Sequence, residues 1–254
     1  MLPNTINIWA AGQLNSPILM DVVGLGIGVT SSIGMAIFLG LNGALYTFLS
    51  QAIGAENHRK AGVYRQRGRF VITIAFIILI PFYIFSGKLL KLCGQNEIVA
   101  EKSGFFILIY IPAIYIMALI DIDKILLTNL DKTNHAMGCQ ILTPIIHLLW
   151  VWLFALHLKM GTSGIALAYF LTNSIIWILQ CVIILKLEIA AEVNTASFFS
   201  KETYQDMKEY MKIAGPSVIS FLVEFASFDI QIILMGMVGV LSQASMVIFI
   251  NINV

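Results

Sequence analysis

Charge is what this sequence has least of: Asp, Glu, Lys and Arg make up 11% of its 254 residues, against about a quarter in an ordinary soluble domain. With 59% hydrophobic residues and a mean hydropathy of +0.88, the chain cannot cover its own surface with polar groups. Lipid is the expected solvent for most of it. A net charge of +1, with 15 scattered Lys and Arg, excludes nucleic acid as a partner, because phosphate binding needs a concentrated basic face. Cysteine is scarce too. Cys93, Cys139 and Cys181 lie far apart without CxxC or zinc-ligand spacing, so they read as small apolar packing residues rather than a disulfide or metal framework. His147 and His157 have neither a second ligand at i+4 nor a conjugate acid, which leaves an enzyme, a metal or a cofactor little to stand on. Gly24, Gly26 and Gly28 imitate a dinucleotide loop, but no strand precedes them and the GxGxxG spacing fails. With Gly34, Gly40 and Gly43 they are expected to let helices approach closely. A short apolar run followed by a small-residue cleavage site is also missing, so no separate targeting peptide is expected.

What the chain has instead is long apolar runs. Six lie at about Ile18–Leu49, Phe70–Leu90, Phe105–Leu127, Met137–Leu156, Gly164–Leu185 and Ile213–Met237. Runs of about 20 residues match a bilayer core, and backbone groups in hydrocarbon must bond within their own segment, so helices are predicted. The alternating ten-residue segments of a transmembrane barrel are absent. Before these, Met1–Gly12 would reach only about 18 Å of a core roughly 30 Å thick, as the end of a truncated helix would. A further segment begins at about Ser242 and is cut off at Val254. The loops after the second, fourth and sixth full segments, counting the partial one as first, carry most of the Lys and Arg; the richest is His58–Arg69, with Arg59, Lys60, Arg65, Arg67 and Arg69. By the positive-inside rule these loops face the cytoplasm.

The longest polar stretch, Lys186–Lys212, places Tyr204, Met207 and Met211 at helical spacing and reads as an amphipathic helix on the membrane surface. A hinge between two halves and a plain solvated connector are both open readings. A faint internal repeat, Ile6-Asn7-Ile8 with Gly12 and Val23 against Ile230-Gln231-Ile232 with Gly236 and Val247, agrees with two halves but decides little alone.

In the segment that opens at Gly215-Pro216, the residues Ser217, Ser220, Glu224, Ser227 and Gln231 recur at spacings of three and four, which places all five on one helical face. Glu224 stands near mid-helix, where an ionised carboxylate costs on the order of 3 kcal/mol. A group so placed is suited to take up and release a proton, while the bland alternative is a protonated acid bonded to a neighbouring helix. Asp229 lies about 140° around the helix from Glu224 and off the stripe. Near the end of the fourth segment, Asp121 and Lys124 can pair at i, i+3 beside Asp123, either as an interfacial ion pair or as a contact to a cargo. Tyr110, Tyr115, Trp150, Trp152, Tyr169 and Trp177 are expected as interfacial anchors or packing, with cation–π contacts to planar cations open to some of them.

Three motifs then suggest a family. Gly40-Leu41-Asn42-Gly43-Ala44-Leu45 running into Ser50-Gln51-Ala52-Ile53-Gly54-Ala55 resembles the second-helix "GLxxAL…GQAxGA" of the multidrug and toxic compound extrusion (MATE) transporters, the eukaryotic ones in particular. Tyr64-Arg65-Gln66-Arg67 resembles their "YxQR", and Gly215-Pro216-Ser217 with Leu222-Val223-Glu224-Phe225-Ala226-Ser227-Phe228-Asp229 is similar to their seventh-helix "lPSxxxxxlExWxFE". The resemblance implies an all-α, polytopic membrane protein with two six-helix lobes. Residues 1–190 would be the N-lobe from the end of helix one to helix six, 191–212 a cytoplasmic linker, and 213–254 the start of the C-lobe, the chain being truncated at both ends.

It also implies antiport of small organic compounds against protons or sodium across a lipid bilayer, by alternating access, in a protein that acts as a monomer when full length. The family's seventh-helix acids fall at Glu224 and Asp229, and Ser217, Ser220, Ser227, Gln231 and Gln51 become candidates for the cavity wall. Tyr46, Ile53 and the pair Asp121-Ile122, in place of Gln-Pro, depart from the family pattern. Asn7 stands about where prokaryotic members place a first-helix acid, so coupling is expected through Glu224, with protons favoured over sodium. A lipid-linked saccharide flippase of similar architecture, expected to carry more cations inside its lobes, is the alternative within transport, and a non-transporting fragment the other.

Overall fold

The computed structural model describes residues 2–194 and 200–238, with the side chains of Asp229, 232–234 and 236–238 left out of the description. The segment expected from Ser242, and Val247 of the internal repeat, lie outside the described residues. Among those described the chain is helical throughout, without a strand. Among the described residues six helices are long and apolar enough to cross a membrane: Pro17–Gly54, His58–Ile84, Glu97–Asn129, Thr133–His157, Gly161–Leu185 and Met207–Phe228.

In chain order the helices are α1 (Leu2–Gln13), α2 (Pro17–Val29), α3 (Ala36–Gly54), α4 (His58–Ile84), α5 (Ser86–Leu92), α6 (Glu97–Asn129), α7 (Thr133–Val151), α8 (Gly161–Leu185), α9 (Ala190–Val193), α10 (Lys201–Tyr204) and α11 (Met207–Val238). A π-helical stretch, Thr30–Met35, joins α2 to α3 in one continuous span, and a second, Trp152–His157, ends the α7 span. Turn chemistry separates the spans. Asn15, Glu56, Asp131, Lys159 and Asp206 all have φ between 52° and 56°, each in a short turn between two helices. Asn57 and Asn96 cap α4 and α6, their side-chain oxygens accepting from Lys60 N at 2.9 Å and Ile98 N at 3.0 Å.

The structure moves two expected boundaries. The fully basic stretch His58–Arg69 is not a loop but the first three turns of α4, and the span that was expected to run to Leu90 ends at Ile84, followed by the short α5. Arg65 and Arg67 are helical because each finds buried acceptors, which removes the reason for charge to stay in a loop. The linker is likewise not one amphipathic helix: α10 is a single turn, the chain breaks at Gln205 and Asp206, and Met207 and Met211 already belong to α11.

At the centre stands α6, whose 33 residues are about 50 Å long. It packs against α2, α3, α4, α5 and α8, burying Phe106, Tyr110, Ile114, Ile122 and Leu126. Small residues set the closest approaches. A Cβ on Gly26 would lie 2.3 Å from Phe106, one on Gly34 would lie 2.1 Å from the Tyr83 hydroxyl, and one on Gly40 would lie 2.4 Å from the Val218 backbone of α11. Gly43 meets Ser217 in the same way, whereas Gly24 and Gly28 face open space, so the close-approach reading holds for four of the six glycines. Tyr210 adds a hydrogen bond from its hydroxyl to the Leu41 carbonyl at 3.0 Å, fixing α11 along α3.

Candidate functional site

A cleft of about 720 Å³ opens among α1, α3, α6, α7 and α8. Its walls are largely apolar, with Phe38, Met117, Tyr169 and Ile176 among them, as suits an organic ligand. The polar groups gather where α3 faces α6. Asn42 Nδ2 donates to Asp121 Oδ2 at 2.9 Å, and Lys124 Nζ lies 2.9 Å from Asp121 Oδ1. The i, i+3 pair anticipated from the sequence is therefore formed, and it faces the cleft rather than bulk lipid. The same three residues, with Leu39, also line a second recess of about 300 Å³ that reaches Tyr46 and Phe221.

Beside the cleft a polar seam ties four helices together. His147 on α7 bonds through Nε2 to Asn7 Oδ1 at 2.8 Å and through Nδ1 to Thr172 Oγ1 at 3.1 Å. Its ring meets Tyr169 edge-on, Tyr169 stacks on Tyr110 at 4.6 Å between centroids, and the Tyr110 hydroxyl donates to Asn4 Oδ1 at 3.2 Å. Nothing in the local sequence around His147 foretold this, because its partners come from residues 140 and 25 positions away. Cys139 is buried beside the cleft and Cys181 touches Asp123 at 3.8 Å, as packing residues do, but Cys93 is exposed after α5. The packing reading fails for Cys93 because it lies in the turn between two helices.

At the basic end, Asp123 is wholly buried and receives Arg65 Nε at 2.7 Å together with Arg69 Nη2 at 3.0 and 2.9 Å to its two oxygens. Arg65 also donates to Asn194 Oδ1 at 3.0 Å, and Arg67 to the carbonyls of Glu202 and Thr203, each at 3.1 Å. This cluster clamps α4, α6 and the segment after α8 into one unit.

The stripe on α11 is placed as follows. Ser217 is half-buried against Gly43, Ser227 is half-buried with its hydroxyl donating to the Glu224 carbonyl at 2.7 Å, and Ser220, Glu224 and Gln231 are exposed. The Glu224 carboxylate makes no ion pair among the described residues. The side chain of Asp229 lies outside the description, and Gln51 is exposed near the end of α3. None of these residues lines the cleft among α1, α3, α6, α7 and α8.

Comparison with known proteins agrees with this architecture. The chain is 28% identical over 235 residues to Protein DETOXIFICATION 16 of Arabidopsis thaliana, covering 91% of this chain and 47% of that one. It is 25% identical over 222 residues to Multidrug and toxin extrusion protein 1 of Mus musculus, covering 87% and 38%. The chain thus spans less than half the length of these curated relatives. Among solved structures, the eukaryotic MATE transporter AtDTX14 superposes with a TM-score of 0.84 at 22% identity, over 92% of this chain and 52% of that one. The Vibrio cholerae MATE transporter VcmN in its bent form gives 0.77 at 18% identity, over 97% and 55%. A family model described as MatE matches residues 1–153, more than half of the chain, and the chain is accordingly a multi-pass integral membrane protein of the MATE family.

Proposed function

We propose that the chain forms the N-lobe and the opening of the C-lobe of a secondary active antiporter that exports small organic drugs, toxins or metabolites in exchange for protons or sodium. The observation that carries this reading is the cleft itself: an apolar slot within a bundle of membrane-spanning helices, with a few convergent polar groups at Asn42, Asp121 and Lys124. Such a slot binds an organic body by apolar contact and orients it by its polar end. Relatives named for detoxification and for multidrug and toxin extrusion support the same class of cargo.

Coupling is assigned to Glu224, on the stripe of α11, the helix that Gly40 and Gly43 hold against α3. Ser217 and Ser227 would extend the cavity wall along that face, with Ser220 and Gln231. Protonation of Glu224 changes the charge of the face α11 presents, and alternating access lets that change be made on one side of the membrane and undone on the other. The test is Glu224→Gln in the full-length protein, reconstituted in liposomes with an imposed pH gradient. Proton-driven efflux is expected to vanish while insertion and abundance stay unchanged; unaltered efflux would remove Glu224 from the mechanism.

A further inference from the structure

Asp121 and Lys124 are the only charged side chains lining either recess among the described residues, and they carry opposite signs 2.9 Å apart. The site they make is therefore net neutral but strongly dipolar. A simple organic cation placed there would gain from Asp121 what it loses to Lys124. The pair is also incompletely used. Lys124, with its side chain 37% exposed, keeps ammonium protons beyond the one aimed at Asp121, and Asn42 Oδ1 is buried without a hydrogen-bond partner. Asn42 is 2% exposed and its Nδ2 is committed to Asp121 and the Ala118 carbonyl, so it fixes the Asp121 carboxylate from the buried side.

We propose that Asp121 and Lys124, with Asn42 holding Asp121 in place, form a subsite for the zwitterionic end of an organic cargo, taking a carboxylate on Lys124 and an ammonium on Asp121. The apolar walls at Phe38, Met117, Tyr169 and Ile176 hold the body of the same molecule. A zwitterion satisfies both charges at once, whereas a monocation meets Lys124 as a like charge and a monoanion meets Asp121. The pair so selects a substrate class rather than adding general affinity. This inference rests on the export reading above and names its cargo.

Three probes that share an indole body separate the charges: tryptophan is zwitterionic, tryptamine lacks the carboxylate and indole-3-propionate lacks the ammonium. Binding of each is titrated to the purified full-length protein in lipid nanodiscs. Tryptophan is expected to bind about tenfold more tightly than either of the others. Lys124→Gln should reduce tryptophan affinity to the level of tryptamine, Asp121→Asn should reduce it similarly while keeping the Asn42 contact, and exchanging the two charges (Asp121→Lys with Lys124→Asp) should restore part of the preference. Equal or tighter binding of tryptamine, unchanged tryptophan affinity in Lys124→Gln, or no saturable tryptophan binding each overturns the proposal. Proton-driven efflux from liposomes is measured alongside. Efflux of tryptamine without a tryptophan preference would remove the subsite and leave export standing; a tryptophan preference without any efflux would do the reverse.

Discussion

Arg65 Nε meets Asp123 Oδ1 at 2.7 Å with the arginine side chain 3% exposed and the aspartate fully buried. Two charges removed from water in this way are held by each other and by Arg69, which donates to both carboxylate oxygens. Truncating one partner of such a buried pair costs about 3–5 kcal/mol, because the charge left behind has no replacement for water. Asp123→Ala in the full-length protein is therefore expected to cut abundance and lower the melting temperature sharply. The exposed pair Lys91–Glu97, at the opposite end of the bundle, is the control: Glu97→Gln should shift melting little. Both are read from thermal unfolding followed by fluorescence-detected gel filtration.

Gly40 has no room for a side chain, since an added methyl would sit 2.4 Å from the backbone of Val218. Gly40→Leu should push α11 off α3 and lower thermal stability. Gly24→Ala faces open space inside α2 and should leave stability unchanged or raise it by up to about 1 kcal/mol. Equal effects from the two would mean that α3 and α11 do not pack as described.

The buried His147 ring bonds Asn7 Oδ1 and Thr172 Oγ1 at once. Substituting His147→Phe keeps a ring but leaves Asn7 Oδ1 without that partner, at a cost of about 1–3 kcal/mol. Adding Asn7→Ala should recover part of the loss. The coupling energy from a double-mutant cycle in thermal unfolding measures it, and strict additivity would show that the seam is not a bonded unit.

Cys93 is exposed in the turn after α5, whereas Cys139 is buried. A membrane-impermeant maleimide applied to intact cells is expected to label Cys93 and spare Cys139. The positive-inside rule puts the turn on the outer face, opposite Arg65, Arg67 and Arg69. Labelling of Cys93 only after the membrane is opened would invert that orientation.

The long apolar runs were legible because a bilayer demands about 20 residues of one character, a signal no local exception can erase. The start of α4 was not. Arg59 to Arg69 read as a loop on composition, and they are helical because Asp123, Asn194 and two backbone carbonyls receive three of those guanidinium groups, partners separated from them by 54 to 136 residues. The same limit hid the seam around His147. The stripe on α11 was legible as a face, because spacing fixes which residues point together. Which neighbour that face meets depends on packing, and in these helices Ser217 turns to Gly43 while Glu224 stays exposed. The Asp121–Lys124 pair lay between the two cases: its existence follows from i, i+3 spacing, its place in a cleft from Asn42 on another helix.

The π-helical stretch Thr30–Met35 carries one further consequence. Widening a helical turn by a residue rotates everything beyond it by about 100° relative to an unbroken α-helix. The orientation of Phe38, Leu39 and Asn42 toward the cleft is thus indexed by a stretch of which only its last residue, Met35, reaches the cleft. Were the six residues to relax to a regular helix without losing one, those side chains would swing off the cleft wall and take the orienting amide with them, whereas deleting one residue between Thr30 and Met35 at the same time would bring them back into register.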